Sequence, residues 1–334
     1  LFIKRTLAKK IDLKKLEPFV LLNNKISFKE KDFKTIKKEP INLVKIFCIA
    51  QKLSLEIQPK TLHFLWNNKN LIHKNLDEFE TIKQLLLKII LTKNNPDYWL
   101  RRMNECGILG RIIPEFKKIV GQMQYDMYHA YTVDEHIIRG IQYLKMLEKG
   151  HLKSIAPIGS TLIKEVQNRK TLFFAILFHD LGKGNNQDHS IVGAKVVKNF
   201  FSTLKLSNEE KDLTEWLVKN HLLMSNVAFN YDIYEPKTIE DFCKKVQSLE
   251  KLKLLLVFTV ADILAVGPNV WNAWKASLMR QLYFYSEKVM LGENPNHVVK
   301  SNPEDLKKSL KEKIKILKKE KLEKHINFFP KKYW

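Results

Sequence analysis

The stretch Leu172–Gly184 reads LFFAILFHDLGKG and places an ionisable pair directly behind an apolar run. The run, Leu172–Phe178, is long enough for about two turns of helix without a polar side. A helix that is apolar all round predicts a buried core element. His179 and Asp180 follow at once, and Lys183 comes three residues after Asp180. Burying an ionisable group is costly unless the group is paired or binds a metal. This stretch is therefore predicted to contain both hydrophobic core residues and functional residues.

The composition of the chain favours an all-α fold. Its 334 residues are enough for a sizeable core, and they include only 11 Gly and 11 Pro. Apolar residues recur mostly at helical spacing, so no sheet is predicted. Helices are predicted from about Ile41, over Asp77–Lys93 and Asp97–Cys106, from Thr132, over Ile191–Leu204, Glu209–Ser225 and Leu252–Val266, and as a lysine-flanked stripe over Leu306–Leu317.

The helix predicted from Thr132 carries the first candidate functional residue. Thr132 and Glu135 have the spacing of a capping box at a helix N-terminus. His136 would then share the inward face of this helix with apolar neighbours such as Val133 and Ile137. A buried histidine of this kind can be an ordinary core residue or a metal ligand.

The chain is strongly basic, with 58 Lys and Arg against 36 Asp and Glu and a formal net charge of +22. Such a balance would ordinarily suggest nucleic acid or an anionic surface. The excess is mostly lysine and is spread along the whole chain, which indicates solvated helix faces. Nucleic acid is therefore not expected as a partner.

Cysteine usage and hydropathy bear on the compartment. Cys48, Cys106 and Cys243 are odd in number and form no CxxC pair, so neither a disulfide framework nor a zinc knuckle is predicted. The most apolar stretch, Leu254–Val266, is too short to span a bilayer and contains Asp262. A cytoplasmic protein with no membrane partner is expected.

Six potential metal ligands lie in or beside apolar helical segments. Long intervals separate them, which suits ligands on separate helices that converge in a bundle. Imidazole nitrogen and carboxylate oxygen, without thiolate, favour Mn²⁺ or Mg²⁺, with Fe²⁺ and Zn²⁺ as alternatives, in an open catalytic site. One or two such ions can activate water and hold the oxygens of a phosphate ester. The predicted ligands are His136, His179, Asp180, His189, His221 and Asp262.

Three basic residues are candidates for contact with a phosphate. Lys183 could hold phosphoryl oxygens as charge builds on them, which adds it to His179 and Asp180 as a predicted catalytic residue. Arg139 and Lys275 are candidates for further contacts with substrate. Each of these two is equally compatible with a surface ion pair.

The ordered set of ligands resembles that of the HD-domain phosphohydrolases. The surrounding sequence resembles, more specifically, the central part of the bacterial bifunctional uridylyltransferase/uridylyl-removing enzymes. Members of that family often have Ile-Ala where this chain has Leu181 and Gly182. The resemblance covers nearly the whole chain and is carried by EPINLVKIFCIAQKLSL (39–55), WLRRMNECGILGR (99–111), ILGRIIPEFKKIVGQMQYDMYHAYTVDEHIIR (108–139), LFHDLGKGNNQDHSIVGA (177–194), WLVKNHLLMS (216–225), TVADILAVGPNVWNAWKASL (259–278) and NFFPKKYW (327–334).

This resemblance implies a reaction, a partner and a division of the chain. The reaction would be hydrolysis of uridylyl-tyrosine on the nitrogen regulatory protein PII, with release of UMP. His136, His179, Asp180 and Asp262 would hold one ion, while His189 and His221 would complete a second site that shares Asp180. Residues 1–115 would be a helical connector, 116–300 the HD domain and 301–334 a linker helix. The chain is expected to be a fragment, because the nucleotidyltransferase domain and the glutamine-sensing ACT domains of the family are not found in it.

Three alternatives stay open on the sequence alone. The first is an HD hydrolase of another nucleotide or phosphate ester. The second is the HD-bearing half of a tRNA nucleotidyltransferase, which the segment 39–55 also resembles. The third is a non-catalytic piece whose metal centre only holds the fold.

Overall fold

The computed structural model describes residues 17–29, 33–74, 77–123, 130–183 and 188–299. Helices dominate these residues, which confirms the all-α prediction. In chain order the helices are α1 (Phe33–Lys38), α2 (Asn42–Leu53), α3 (Pro59–Asn68), α4 (Phe79–Leu91), α5 (Pro96–Glu105), α6 (Leu109–Ile112), α7 (Pro114–Ile119), α8 (Val133–Glu148), α9 (Pro157–Leu162), α10 (Arg169–Phe178), α11 (His189–Phe201), α12 (Asn208–Lys219), α13 (Leu223–Asn230), α14 (Pro236–Val246), α15 (Leu249–Val266), α16 (Ala273–Met290) and α17 (Pro295–Val299), with a 3₁₀ turn at Lys69–Leu71.

A small sheet near the start of the described chain was not predicted. Strands β1 (Phe19–Leu22) and β2 (Lys25–Phe28) pair antiparallel, and β3 (Glu56–Ile57) pairs with β2 in parallel. The turn between β1 and β2 is Asn23-Asn24, with φ of 51° and 59°. Two left-handed residues are what a tight two-residue hairpin requires, and asparagine tolerates that conformation better than most residues. The prediction of no sheet is therefore wrong for these short strands.

The described residues form two compact units. The first contains the residues up to 222 together with 253–272, and the second contains 223–252 together with 273–299. In the second unit Trp274 stacks near Phe229, with ring centroids 6.0 Å apart, and is 60 % exposed.

The core of the first unit is built around α10. Every residue of Leu172–Phe178 is buried, as the apolar run predicts. Helices α8, α11 and α12 pack on α10 and carry the hydrophobic residues that cover it. The end of α10 is therefore held in the centre of a helical bundle.

Local details differ from the sequence-based expectations at two helix ends. Thr132 makes no capping hydrogen bond with its side chain, and Glu135 instead pairs with Arg101 and Arg139, so the predicted capping box is wrong. The helix predicted over Glu209–Ser225 is in fact α12 and α13, which are separate. The stripe over Leu306–Leu317 lies outside the described residues.

Helix α4, in the first half of the chain, contacts α11, one of the helices that carry the predicted ligands. Lys83 on α4 is buried, and its Nζ donates to the carbonyl oxygen of Phe200, 2.9 Å away, in the last turn of α11. It also donates to Oγ1 of Thr203 at 3.2 Å. A cation at this position satisfies carbonyl groups that a helix leaves unpaired at its C-terminus.

No helix in the parts of the chain described above combines the length and the apolar character needed to cross a membrane.

Replacing Lys83 with Met should destabilise the protein, because it leaves the buried Phe200 carbonyl without its donor. The expected loss in free energy of unfolding is about 1–3 kcal/mol, measured by urea denaturation. Lys88→Met is the matched control, since Lys88 is exposed on the same helix. A loss no larger in Lys83→Met than in the control would contradict this role.

Candidate metal centre

His179 is held in place by the end of α10. Its backbone remains helical, with φ −58° and ψ −39°, and its N–H donates to the carbonyl oxygen of Ala175. In the side chain, Nδ1 lies 2.9 Å from the carbonyl oxygen of Ile176 and must donate to it. Nδ1 therefore keeps its proton when the ring is neutral, so Nε2 is the nitrogen that can bind a metal.

Three further potential ligand atoms converge around Nε2 of His179. Nε2 of His136, on α8, lies 3.3 Å away, and Oδ2 of Asp180 lies 3.2 Å away. Oδ1 of Asp262, on α15, lies 3.4 Å from Nε2 of His179 and 2.9 Å from Nε2 of His136. Three helices therefore bring His136, His179, Asp180 and Asp262 into one cluster, called here the first cluster.

A second cluster lies on the other side of Asp180. Nε2 of His189, the first residue of α11, is 3.9 Å from Oδ1 of Asp180. Nε2 of His221, just past the end of α12, is 3.4 Å from Nε2 of His189. Nδ1 of His221 donates to the carbonyl oxygen of Val218 at 2.7 Å, so Nε2 is again the nitrogen with the lone pair. Asp180, His189 and His221 are called here the second cluster.

The two clusters fit divalent metal ions. Ligand atoms of His136, His179 and Asp180 lie within 4.8 Å of one another, and those of Asp180, His189 and His221 do so too. Oδ1 of Asp180 is buried and has no hydrogen-bond partner among the described residues, which is unfavourable for a carboxylate that stays without a cation. All the donors are imidazole nitrogen or carboxylate oxygen, the set that suits Mn²⁺, Mg²⁺, Fe²⁺ and Zn²⁺. Asp180 is the residue that both clusters share.

Protons are distributed unevenly between the histidines of the site. Burial acts to lower the pKa of His179, but the carboxylates of Asp180 and Asp262 outweigh it and raise that pKa to about 10. Burial, reinforced by the charge of His179, lowers the pKa of His221 to about 4. At neutral pH His179 is therefore a cation and His221 is neutral.

The carboxylates respond to the same charges. Burial acts to raise the pKa of Asp180, yet the charges of His179, Lys183 and His136 hold it well below its usual range. The pKa of Asp262 is also lowered, because His179 and His136 outweigh the effect of burial. Both carboxylates are ionised and ready to bind a cation.

The site is closed on one side and open on the other. Residues His136, His179, Asp180 and His221 are all at most 3 % exposed. Phe258, one turn before Asp262 on α15, packs against the rings of His179 and His221 with centroids 5.4 and 6.0 Å away. The side chains of His189, Lys183 and Asp262 are 28 %, 20 % and 14 % exposed, so they mark the side from which a substrate can approach.

The predicted phosphate-binding residues lie in different surroundings. Nζ of Lys183 donates to Oδ2 of Asp180 at 2.6 Å, directly at the shared ligand. Arg139 lies one turn after His136 on α8, where it pairs with Glu135 and its guanidinium carbon is 3.8 Å from the ring centroid of Tyr131. Lys275 belongs to the second unit, with its Nζ 5.6 Å from the ring centroid of Phe229.

Two families of known proteins match the chain in sequence. Residues 19–112 match the family described as the uridylyltransferase GlnD third domain. Residues 133–267 match the HD domain, a range that includes all six predicted ligands. Together the two matches correspond to the HD-domain portion of a GlnD-type uridylyltransferase. The HD domain within it supports a metal-dependent hydrolase, and the family resemblance inferred from the sequence is confirmed.

The orienting groups around the ligands were not found by sequence reasoning. Ile176 and Val218 each act through a backbone carbonyl, three residues before His179 and His221 respectively. Every residue has a backbone carbonyl, so the residue types of Ile176 and Val218 do not indicate this role. Only their position three residues before a histidine could have suggested it. Phe258 could have been found, because it lies four residues before Asp262 on a predicted helix and must share its face.

Binding of the first metal ion at pH 7.5 should release about one proton, because His179 is protonated in the metal-free protein and must become neutral to act as a ligand. Metal affinity should therefore rise with pH until pH approaches the His179 pKa of about 10. Calorimetric titration in buffers of different ionisation enthalpy measures the proton count.

The control for this experiment is His221→Ala. Since His221 has a pKa of about 4 and is already neutral, the variant should release the same number of protons with its first ion. A binding heat that does not depend on the buffer in the unchanged protein would contradict the protonated state of His179.

Proposed function

We propose that this chain is a divalent-metal-dependent phosphodiesterase that removes uridylyl groups from a tyrosine of the PII protein and releases UMP. The single observation that carries the proposal is the order of the two matches. A GlnD third domain is followed by an HD domain in which five of the six predicted ligands form two groups that share Asp180. This order favours the uridylyl-removing function over that of a tRNA nucleotidyltransferase or of another HD hydrolase.

Each ligand residue has a proposed part in this reaction. His136, His179, Asp180 and Asp262 would hold one Mn²⁺ or Mg²⁺ ion, and His189 and His221 would hold a second together with Asp180. Bound ions of this kind activate water and neutralise charge on phosphate oxygens. The buried carbonyls of Ile176 and Val218 orient the imidazoles of His179 and His221, so the ligands need little rearrangement to bind.

Hydrolysis adds water across the bond between phosphorus and the tyrosyl oxygen. The oxygen of water becomes part of UMP, and the tyrosyl oxygen leaves as a phenolate that takes up a proton. Lys183 lies at the open side of the site and carries the positive charge closest to Asp180 Oδ2. We assign it to the phosphoryl oxygens, which gain negative charge as the reaction proceeds.

Arg139 and Lys275 are proposed to contact the substrate outside the metal centre. Arg139 is on the same helix as His136, and its partners Glu135 and Tyr131 hold the guanidinium in a fixed position. A guanidinium that is fixed in this way can bind a phosphate with two hydrogen bonds. Lys275 would contact the PII protein itself.

The wider protein is proposed on the family resemblance. Residues 1–115 would form the connector after a nucleotidyltransferase domain, 116–300 the HD domain, and 301–334 a linker toward ACT domains that bind glutamine. Such a protein would be a multifunctional enzyme of nitrogen regulation. The three free cysteines support a cytoplasmic location.

Replacing Asp180 with Ala should lower UMP release from uridylylated PII at least about 100-fold, because it removes a ligand from both clusters at once. The measurement is UMP formation with Mn²⁺ or Mg²⁺, with a chelator control. Asp241→Ala is the matched variant, since Asp241 is a half-exposed surface residue paired with Lys237.

The outcome also separates the candidate substrates. Release that is unchanged in Asp180→Ala would contradict the assigned site. A metal-loaded unchanged protein that hydrolyses small nucleotides but leaves uridylylated PII intact would contradict the assigned substrate and favour another HD hydrolase.

Replacing Lys183 with Met should lower kcat about 10²–10³-fold while the metal content stays unchanged. The reason is that the Lys183 ammonium is proposed to stabilise negative charge on the phosphoryl oxygens of the substrate and is not a metal ligand. Lys183→Arg keeps the charge and should retain more of the activity than Lys183→Met. A loss of bound metal in Lys183→Met would contradict this and show that Lys183 acts only by holding Asp180.

A further inference from the structure

Helix α11, which begins with the ligand His189, contains a glycine in its interior. Gly193 is the fifth of 13 residues in His189–Phe201, one turn after His189. Glycine in the middle of a helix is destabilising relative to alanine, because it loses more backbone freedom on folding. Its presence at this position needs a packing reason.

The packing reason is the close approach of α11 to the end of α10. A Cβ placed on Gly193 would lie 3.1 Å from the carbonyl oxygen of Phe178 and 3.1 Å from that of His179. Both are backbone atoms at the end of the buried helix, so they have little freedom to move. The start of α11 is even closer to this turn, because a Cβ at Gly182 would overlap the backbone of His189.

Gly193 also contacts the element that orients His221. The same Cβ would lie 3.0 Å from Cγ1 of Val218 on α12. The carbonyl oxygen of Val218 accepts the hydrogen bond from Nδ1 of His221. The lack of a side chain at position 193 therefore allows three parts of the site to approach one another closely. These are the helix that carries His189, the backbone of His179, and Val218, which orients His221.

We propose that Gly193 is a positioning residue that sets the spacing of the second cluster, an inference that rests on the proposed metal centre. His189 and His221 can hold an ion together with Asp180 only while α11 lies this close to α10 and α12. The first cluster depends on α8, on the end of α10 and on α15, none of which must move if α11 is pushed away. A methyl group at position 193 therefore weakens the second metal position more than the first.

The test measures Mn²⁺ binding to Gly193→Ala. Calorimetry gives the number of bound ions, and electron paramagnetic resonance shows whether two ions are spin-coupled. The unchanged protein should bind two ions that give a spin-coupled spectrum. Gly193→Ala should bind one ion tightly, with the spectrum of an isolated Mn²⁺. A merely structural role for Gly193 would lower the melting temperature and leave the coupled spectrum intact.

The matched control is Gly159→Ala in α9. A Cβ there meets only side-chain atoms, the nearest being Cγ1 of Val260 at 3.3 Å, so two coupled ions are expected. A second variant, Gly193→Ala with Val218→Ala, removes the methyl group at 3.0 Å and should regain part of the second ion's affinity. If Gly193→Ala does not fold, this double variant is tested in its place, with weaker binding of the second ion than in the unchanged protein as the expected result.

Two coupled ions bound as tightly in Gly193→Ala as in the unchanged protein would overturn the inference and leave the proposed function standing. Failure of the unchanged protein to bind Mn²⁺ would instead count against the proposed metal centre itself. An unchanged protein that binds only one ion would overturn the inference, because there would be no second position for Gly193 to set.

Discussion

The carboxylate of Asp180, almost completely removed from water, is the group on which the arrangement of the first unit depends. An ionised carboxylate in such a place costs several kcal/mol unless cations and hydrogen bonds compensate it. The compensation comes from His179 and Lys183, which lie in the same stretch of chain, and from His136, which α8 supplies. The bundle must therefore bring these parts together, and the apolar helix α10 provides the surface on which they meet.

The positions of the six proposed ligands follow from this requirement. Helix α10 is buried on all sides and delivers His179 and Asp180 at its end, where backbone carbonyls are available to orient imidazoles. Helix α8 adds His136 from its buried face, and α15 adds Asp262 at the edge of the site. His189 and His221 come from the start of one helix and the residues just past the end of another. Helix ends place a side chain with less freedom than a loop does, which suits ligands that must stay within a few Å of each other.

Much of this could be predicted from the sequence, and the parts that could not share a physical reason. The buried helix α10, the inward-facing position of His136 and the partly buried position of Asp262 all follow from periodicity and from the cost of burying charge. The hairpin at Asn23-Asn24 was missed because its strands are too short to show alternation. The break between α12 and α13 was missed because the residues around His221 are apolar enough to continue a helix. In these cases tertiary contacts decide between local structures of similar stability.

The periodicity of the sequence does not predict how closely the proposed ligands lie to one another. The sequence indicates that each ligand lies in or beside an apolar segment, and the family resemblance supplies the order in which they occur. The distances, and the fact that Oδ1 and Oδ2 of Asp180 face different histidines, appear only when the helices are packed. The same holds for Gly193, whose role depends on three contacts that are distant in sequence or lie on different helices.

The central claim is that six side chains form two adjacent metal positions joined by Asp180. Anomalous diffraction from crystals of the protein grown with Mn²⁺ measures this most directly. The account predicts two peaks, one among His136, His179 and Asp262 and one beside His189 and His221, with a different oxygen of Asp180 bound to each. A single peak, or two peaks that Asp180 does not join, would contradict it.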